Sequence, residues 1–236
     1  MVEPEGPLNV GSIARLCANF EVDQLRIVSP KCDIFSLDSV KMSLKGFSYI
    51  KELNLYDSLN EALSDCDLVL ATSGRIDNEK GTNHSSLEEI SNWINNSINI
   101  KNLAVVFGRE TRGLTNNEQL KAHRVFTIKT NKKYPSLNLS HAVSIVLYEL
   151  SKHKQENKII NKKTNLNLAS INNIETSFYE IEKLLLKIGY LYKHTSNARI
   201  SKFKKFFLRA QTSEYELNIL KGIINQINWA LNNLKK

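Results

Sequence analysis

The sequence predicts an α/β fold, a parallel sheet with helices on both faces, and three observations carry that prediction. Short continuous apolar runs recur through the first two-thirds of the chain, helix-start signals fall between them, and beyond Tyr148 only helical periodicity remains. Strands covered on both faces read as unbroken apolar runs, because helices lie above and below them. Strands alternating with helices are joined by crossovers, which makes neighbouring strands parallel. Ligands of such sheets bind outside the carboxyl ends of the strands.

In chain order the expected strands are Leu25–Val28, ended by Ser29-Pro30, then Asp67–Ala71, Leu103–Phe107 and Val125–Ile128. Between them Ser58-x-x-Glu61, Ser85-x-x-Glu88 and Thr115-x-x-Glu118 each fit a capping box. In that motif the hydroxyl and the carboxylate satisfy orphan N–H groups at a helix start reciprocally. Residues 154–173 are polar and Asn-rich with no strong period and read as a linker between a unit at 1–153 and a helical unit at 174–236. The helical unit carries three apolar stripes. Ile181, Leu184, Leu185 and Ile188 form the first, closed by Gly189. Phe203, Phe206, Phe207 and Ala210 form the second, with its phenylalanines expected to pack on the third, Leu217 to Ile227.

Charge divides the chain in the same place. Residues 1–150 carry 16 Lys/Arg and 18 Asp/Glu, whereas residues 151–236 carry 16 and 6, so the whole net charge of +8 comes from the tail. A near-neutral body with a strongly basic tail suits a polyanionic partner; a Lys-rich solvated surface is the bland alternative. On a helix from about Arg199 to Ala210, Lys202, Lys205 and Arg209 fall at i, i+3 and i+7 and share a side, which makes them the candidate RNA contacts.

Other classes lose support. No apolar run approaches the roughly 20 residues that span a bilayer. The acidic, Pro-containing opening Met1-Val2-Glu3-Pro4-Glu5 is unlike a secretory signal or a transit peptide, so the expected localisation is cytoplasmic. Cys17, Cys32 and Cys66 stand far apart with no paired histidines, so neither a metal site nor a disulfide framework is expected.

Three segments could carry chemistry. Asn9-Val10-Gly11-Ser12-Ile13-Ala14-Arg15 runs into an apolar helix that Asn9 could cap, with Arg15 one turn beyond Gly11 at the end that favours anions. Phe107-Gly108-Arg109-Glu110-Thr111-Arg112-Gly113-Leu114 follows a buried strand, and its charged residues suit a ligand loop better than a core. Ser136-Leu137-Asn138-Leu139-Ser140 opens a helix with more hydrogen-bonding groups than a cap needs. His141 reads as a structural or solvent-facing histidine rather than a base, and no Ser-His-Asp triad is evident. The Gly-rich fingerprints of dinucleotide and nucleotide sites are absent, which argues against a nucleotide-dependent oxidoreductase.

In this order and spacing the three segments resemble the TrmH group of SPOUT-superfamily RNA 2′-O-methyltransferases. The likeness continues into the tail at Leu185–Tyr190, Lys204–Arg209 and Glu216–Ile223. The resemblance implies a trefoil knot over about residues 103–150, a homodimer, and S-adenosyl-L-methionine bent into the knot. It implies cofactor contacts from Thr72, Ser73, Gly74, Gly108, Ile128, Ser136, Leu137 and Asn138. Gly74 stands where the family more often has alanine. Arg15 matches the catalytic arginine, acting beside a cofactor held by the other subunit, and Asn9, Glu110, Ser136 and Asn138 match positions that shape the same pocket. The tail is similar to that of members modifying an anticodon-loop ribose of tRNA, so position 32 of tRNA is the expected target. Ribosomal RNA is the runner-up substrate, and a non-catalytic RNA-binding relative is the competing class.

One departure stands out. The family has an apolar strand ahead of the Val-Glu-Pro segment, and here Met1 stands directly before it. Either the start is assigned too late or the chain lacks its first strand.

Overall fold

The computed structural model describes residues 1–74, 85–95, 100–131, 133–156 and 167–233. Helix α1 (Pro7–Asn19) and strand β1 (Arg26–Val28) come first. They are followed by α2 (Leu37–Ser43), a 3₁₀ turn, α3 (Phe47–Lys51), β2 (Asn54–Tyr56), α4 (Leu59–Leu63) and β3 (Leu68–Thr72). Next come β4 (Ser85–Ser86), α5 (Leu87–Asn95), β5 (Leu103–Val106), α6 (Asn116–Gln119), β6 (Arg124–Thr127) and α7 (Leu139–Glu156). Helices α8 (Ile171–Lys187), α9 (Ser196–Ala210) and α10 (Glu214–Asn233) complete the order. Much of the expected linker lies outside the described residues.

Among the described residues all pairings between the named strands are parallel, but the strands divide into two sheets rather than one. A four-stranded sheet has the order β4-β6-β3-β5, and β1 pairs with β2 alone. Residues 1–3 join the facing edges at one end. Val2 N–H donates to Phe107 O (2.9 Å), and Val28 N–H donates to Met1 O (2.9 Å).

Side-chain alternation along β3 explains its unbroken apolar run. Val69 and Ala71 join the core formed with α4 and α8, whereas Leu70 joins the core formed with α1, α5 and α7. Helices therefore cover both faces. The start of α8 is seated on the loop after α4, where Ile171 N–H meets Cys66 O (3.0 Å) and Asn172 N–H meets Ser64 O (3.2 Å).

Local signals hold with a few shifts. Ser58 caps α4, and Thr115 with Glu118 forms the full capping box of α6. At α5 the box is displaced by one residue. Ser86, not Ser85, pairs with Glu89, because the helix begins at Leu87. Gly189 (φ +76°) closes α8 as expected, with Gly189 N–H on Leu186 O and Tyr190 N–H on Leu185 O. The second apolar stripe packs differently from expectation. Phe203 and Phe207 meet Phe178 of α8 edge to face at 5.5 and 5.2 Å, and Phe206 is exposed. The partner is the preceding helix, because Leu208 supplies the buried anchor of α9.

Candidate active site

The carboxyl ends of β5, β3 and β6 lie side by side, and the expected cofactor segments leave from them. Thr72 Oγ1 donates to Val106 O (3.1 Å), and Ser73 N–H donates to Phe126 O (2.9 Å), which ties the three strand ends together. Gly108 follows β5 and Ile128 follows β6, while residues 136–138 lead into α7. A Cβ on Gly108 would stand 2.2 Å from the Gly113 carbonyl carbon. The loop folds back on itself there through the Arg109–Gly113 bridge, with Gly113 at φ +66°. Glycine at 108 is thus required by the loop's own closure.

Glu110 is the hub of the arrangement. One carboxylate oxygen accepts from Glu5 N–H (2.9 Å), and the other accepts from Gly6 N–H (3.1 Å) and Asn9 Nδ2 (3.0 Å). Glu5 returns the contact, accepting from Thr111 Oγ1 (2.9 Å) and Thr111 N–H (3.2 Å). A carboxylate at a helix N-terminus satisfies orphan N–H groups and complements the helix dipole. The sequence expectation for Asn9 is corrected here. The cap position is Gly6, Pro7 opens the helix, and Asn9 lies inside the first turn with its amide bound to Glu110. The helix consequently starts three residues early, and Arg15 lies in its third turn rather than near the anion-favouring end.

Arg109 was not among the expected site residues, yet it holds the loop. Its buried guanidinium donates Nε–H to Glu3 (2.7 Å), and NH1 and NH2 bind Glu118 at 3.0 and 2.9 Å. Glu118, whose bonds followed by Glu3's stabilise the cation, pushes Arg109 further above its usual range, and Arg109 in turn pulls the Glu3 carboxyl down. Burial works to raise Glu118, but the bonds from Arg109 and Thr115 outweigh it and leave its pKa lowered. The signal available in sequence was an arginine between glycine and glutamate after a buried strand. Glu118 is marked only as the carboxylate of a capping box, and Glu3 by no local pattern, so neither points to Arg109.

The remaining candidates divide. Asn138 caps α7, its Oδ1 accepting from Ser140 N–H (2.8 Å) and Ser140 Oγ (2.7 Å). Ser136 and Leu137 are exposed beside it, and Ile128 is half-buried. Arg15 lies outside the Glu110 network, exposed on the same face of α1 as Leu8. His141 is exposed on α7. In the tail, Lys202 and Arg209 are exposed, whereas Lys205 is half-buried, with its pKa lowered by burial and then by Arg209. Among the described residues no group of three or more His, Cys, Asp or Glu is placed to hold a metal ion. No helix among them is long and apolar enough to cross a membrane.

The residues at the strand ends fit an S-adenosyl group. Among the described residues a Cβ on Gly74 would meet nothing within 4 Å, and Leu137 keeps an apolar side chain 37% exposed. Neutral backbone amides with Ile128 and Leu137 suit a purine and its ribose.

Known proteins resemble this chain along nearly its whole length. Residues 1–148 match the model of the SpoU rRNA Methylase family, and residues 172–236 match that of the tRNA methyltransferase TrmJ, C-terminal domain. The chain is 42% identical over 160 residues to the tRNA (cytidine-2′-O-)-methyltransferase TrmJ of Sulfolobus acidocaldarius, covering 67% of this chain and 66% of that one. It is 32% identical to the protein of the same name from Methanocaldococcus jannaschii, covering 92% and 93%. The crystal structure of TrmJ from Z. mobilis ZM4 shares the fold, with a TM-score of 0.81 at 23% identity over 96% of each chain. The first of these matches spans well over half of the sequence, and the chain belongs to the SpoU rRNA Methylase family.

Proposed function

We propose that the protein is an S-adenosyl-L-methionine-dependent RNA 2′-O-methyltransferase whose substrate is tRNA, at position 32 of the anticodon loop. The observation that carries the reading is the Glu110 clamp, which joins the helix bearing Arg15 to the loop after β5, beside the ends of β3 and β6. Relatives covering two-thirds or more of the chain are named as tRNA 2′-O-methyltransferases, which favours tRNA.

Thr72, Ser73, Gly74, Gly108, Ile128, Ser136, Leu137 and Asn138 would hold the cofactor, with the chain knotted over about residues 103–150. When bound, the cofactor supplies an electrophilic methyl on a sulfonium. The acceptor is a ribose hydroxyl, a weak nucleophile whose proton would pass to solvent water as the methyl C–S bond breaks and the new C–O bond forms. A guanidinium, with a pKa above about 12, is a poor base. Arg15 instead orients the hydroxyl and a neighbouring phosphate and stabilises the charge developing on oxygen. Glu110 and Asn9 position the helix that carries it.

A homodimer in which each Arg15 serves the partner's cofactor is supported by exposed apolar residues on packed neighbours, Leu8 on α1 with Ile145 and Tyr148 on α7. We divide the chain into a methyltransferase unit at 1–153, a linker at 154–173 and a basic RNA-binding helical extension at 174–236. Its place of work on this reading is the cytoplasm.

Arg15→Ala is expected to lower methyl transfer by about 10²–10³-fold, the usual loss for one charge-stabilising donor. Calorimetry should find cofactor affinity nearly unchanged. Loss of cofactor binding as severe as loss of turnover would overturn the role given to Arg15, and wild-type protein that binds no cofactor would leave a non-catalytic RNA-binding protein. The family's rRNA-modifying name favours ribosomal RNA as the second substrate reading. Mapping 2′-O-methylation in total RNA from a strain lacking the gene separates the two.

A further inference from the structure

The turn between α8 and α9 holds aromatic rings out in solvent. Gly189 (φ +76°) ends α8, and Tyr190 N–H and Leu191 N–H both donate to Leu185 O (3.0 and 3.1 Å). Leu191 is buried and anchors the turn, whereas its neighbours Tyr190 and Tyr192 stay 65% and 60% exposed. On the far side Thr195 N–H and Ser196 N–H both donate to Tyr192 O at 2.9 Å, which fixes the Tyr192 backbone at the start of α9. Neither ring takes part in these bonds, and rings left in water contribute little by burial.

The rings are nonetheless arranged. The exposed His194 ring stacks on Tyr192, with centroids 6.0 Å apart and planes 25° from parallel. Two nearly parallel rings present an outer face to a third flat ring. Charge selects what carries that third ring. Residues 183–213 hold eight Lys or Arg and no Asp or Glu. Three of these cations are exposed around the rings, Lys187 at the end of α8, Lys193 in the turn and Arg199 in the first turn of α9. Exposed aromatics among cations suit a single-stranded nucleic acid, whose bases stack on the rings while its phosphates meet the cations. A duplex keeps its base faces inside its own stack and has none to offer.

We propose that the turn between α8 and α9 is a stacking platform on which Tyr192, backed by His194, receives an unpaired base of the RNA substrate. Tyr190 offers a second ring, and Lys187, Lys193 and Arg199 hold the flanking phosphates. This rests on the RNA reading given above and adds how the tail tells looped from paired RNA. A loop with splayed bases is held by stacking and charge together, a paired stem by charge alone.

Tyr192→Leu and Tyr192→Phe test this by filter binding to a tRNA transcript, an oligouridylate of about eight nucleotides and a blunt RNA duplex. Tyr192→Leu is expected to weaken tRNA and oligouridylate binding by about 5- to 100-fold, the usual loss for one base–aromatic stack. Duplex affinity and the salt slope of tRNA binding should stay as in the wild type, because no phosphate contact is removed. Tyr192→Phe keeps the ring and should bind like the wild type. Unchanged tRNA affinity in Tyr192→Leu, an equal loss on the duplex, a flattened salt slope, or a Phe variant as weak as the Leu one would each overturn the platform. Should Tyr192→Leu melt early, Tyr192→Trp decides. Its added indole emission should be quenched by the oligouridylate, and unquenched emission counts against stacking. Wild-type protein that binds none of the three RNAs would instead overturn the RNA reading itself.

Discussion

Arg109 and Glu110 are neighbours in sequence that grip opposite ends of one segment, Arg109 holding Glu3 and Glu110 holding Glu5, Gly6 and Asn9. Their presence in a charged loop after a buried strand is legible in the sequence; their partners are not, because a bond between residues 106 apart leaves no periodicity to read. His123 was equally silent. It is buried, its Nδ1 accepts from Val69 N–H (3.1 Å), and burial pushes its pKa from 6.5 down to about 4. The unfolded chain binds the proton more readily than the folded one, so stability is lost as pH falls from about 6.5 towards 4, up to about 3 kcal/mol. His123→Gln keeps an acceptor for Val69 and cannot titrate. Urea unfolding should show wild type losing about 2 kcal/mol more than this variant between about pH 7 and 5; equal losses would remove His123 from the account.

Elements were legible where their signals are local. All four strands expected from apolar runs form, and their bounds differ by a residue or so at either end. β2 and β4 escaped notice because Asn54–Tyr56 and Ser85–Ser86 carry too few apolar residues to form a run. Helix α1 shows how a tertiary contact redefines a motif. Gly11 lies within α1, and a Cβ there would meet the Ser39 carbonyl oxygen at 2.2 Å and Met42 Cβ at 2.8 Å. The glycine lets α2 cross α1 closely. In an open helix Gly→Ala stabilises by about 1 kcal/mol. Here Gly11→Ala is expected to destabilise by about 1–3 kcal/mol through overpacking, measured by chemical denaturation. A gain in stability would show that α2 yields freely.

For the whole molecule, the charge asymmetry and the change from α/β to helical pattern were plain in the sequence, whereas the division into two sheets was not, since strand pairing between distant segments leaves no local signal. Lys202, Lys205 and Arg209 lie on α9, one helix removed from the sheet, because α9 packs on α8. The triple alanine variant is expected to stay folded, bind cofactor normally and lose tRNA affinity. Each phosphate contact removed should flatten the salt dependence by roughly 0.7–0.9. Unchanged tRNA affinity would leave the basic face a solvated surface. The Glu3–Arg109–Glu118 tie also orders events at birth. A ribosome adding about 5–20 residues per second delivers Arg109 and Glu110 roughly 5–21 seconds after Glu3. Throughout that interval the head of the nascent chain has no partner for its carboxylates, and α1 has no carboxylate for its first turn. The amino terminus is made first and secured late, so the candidate active site is one of the last parts of this body to close during translation.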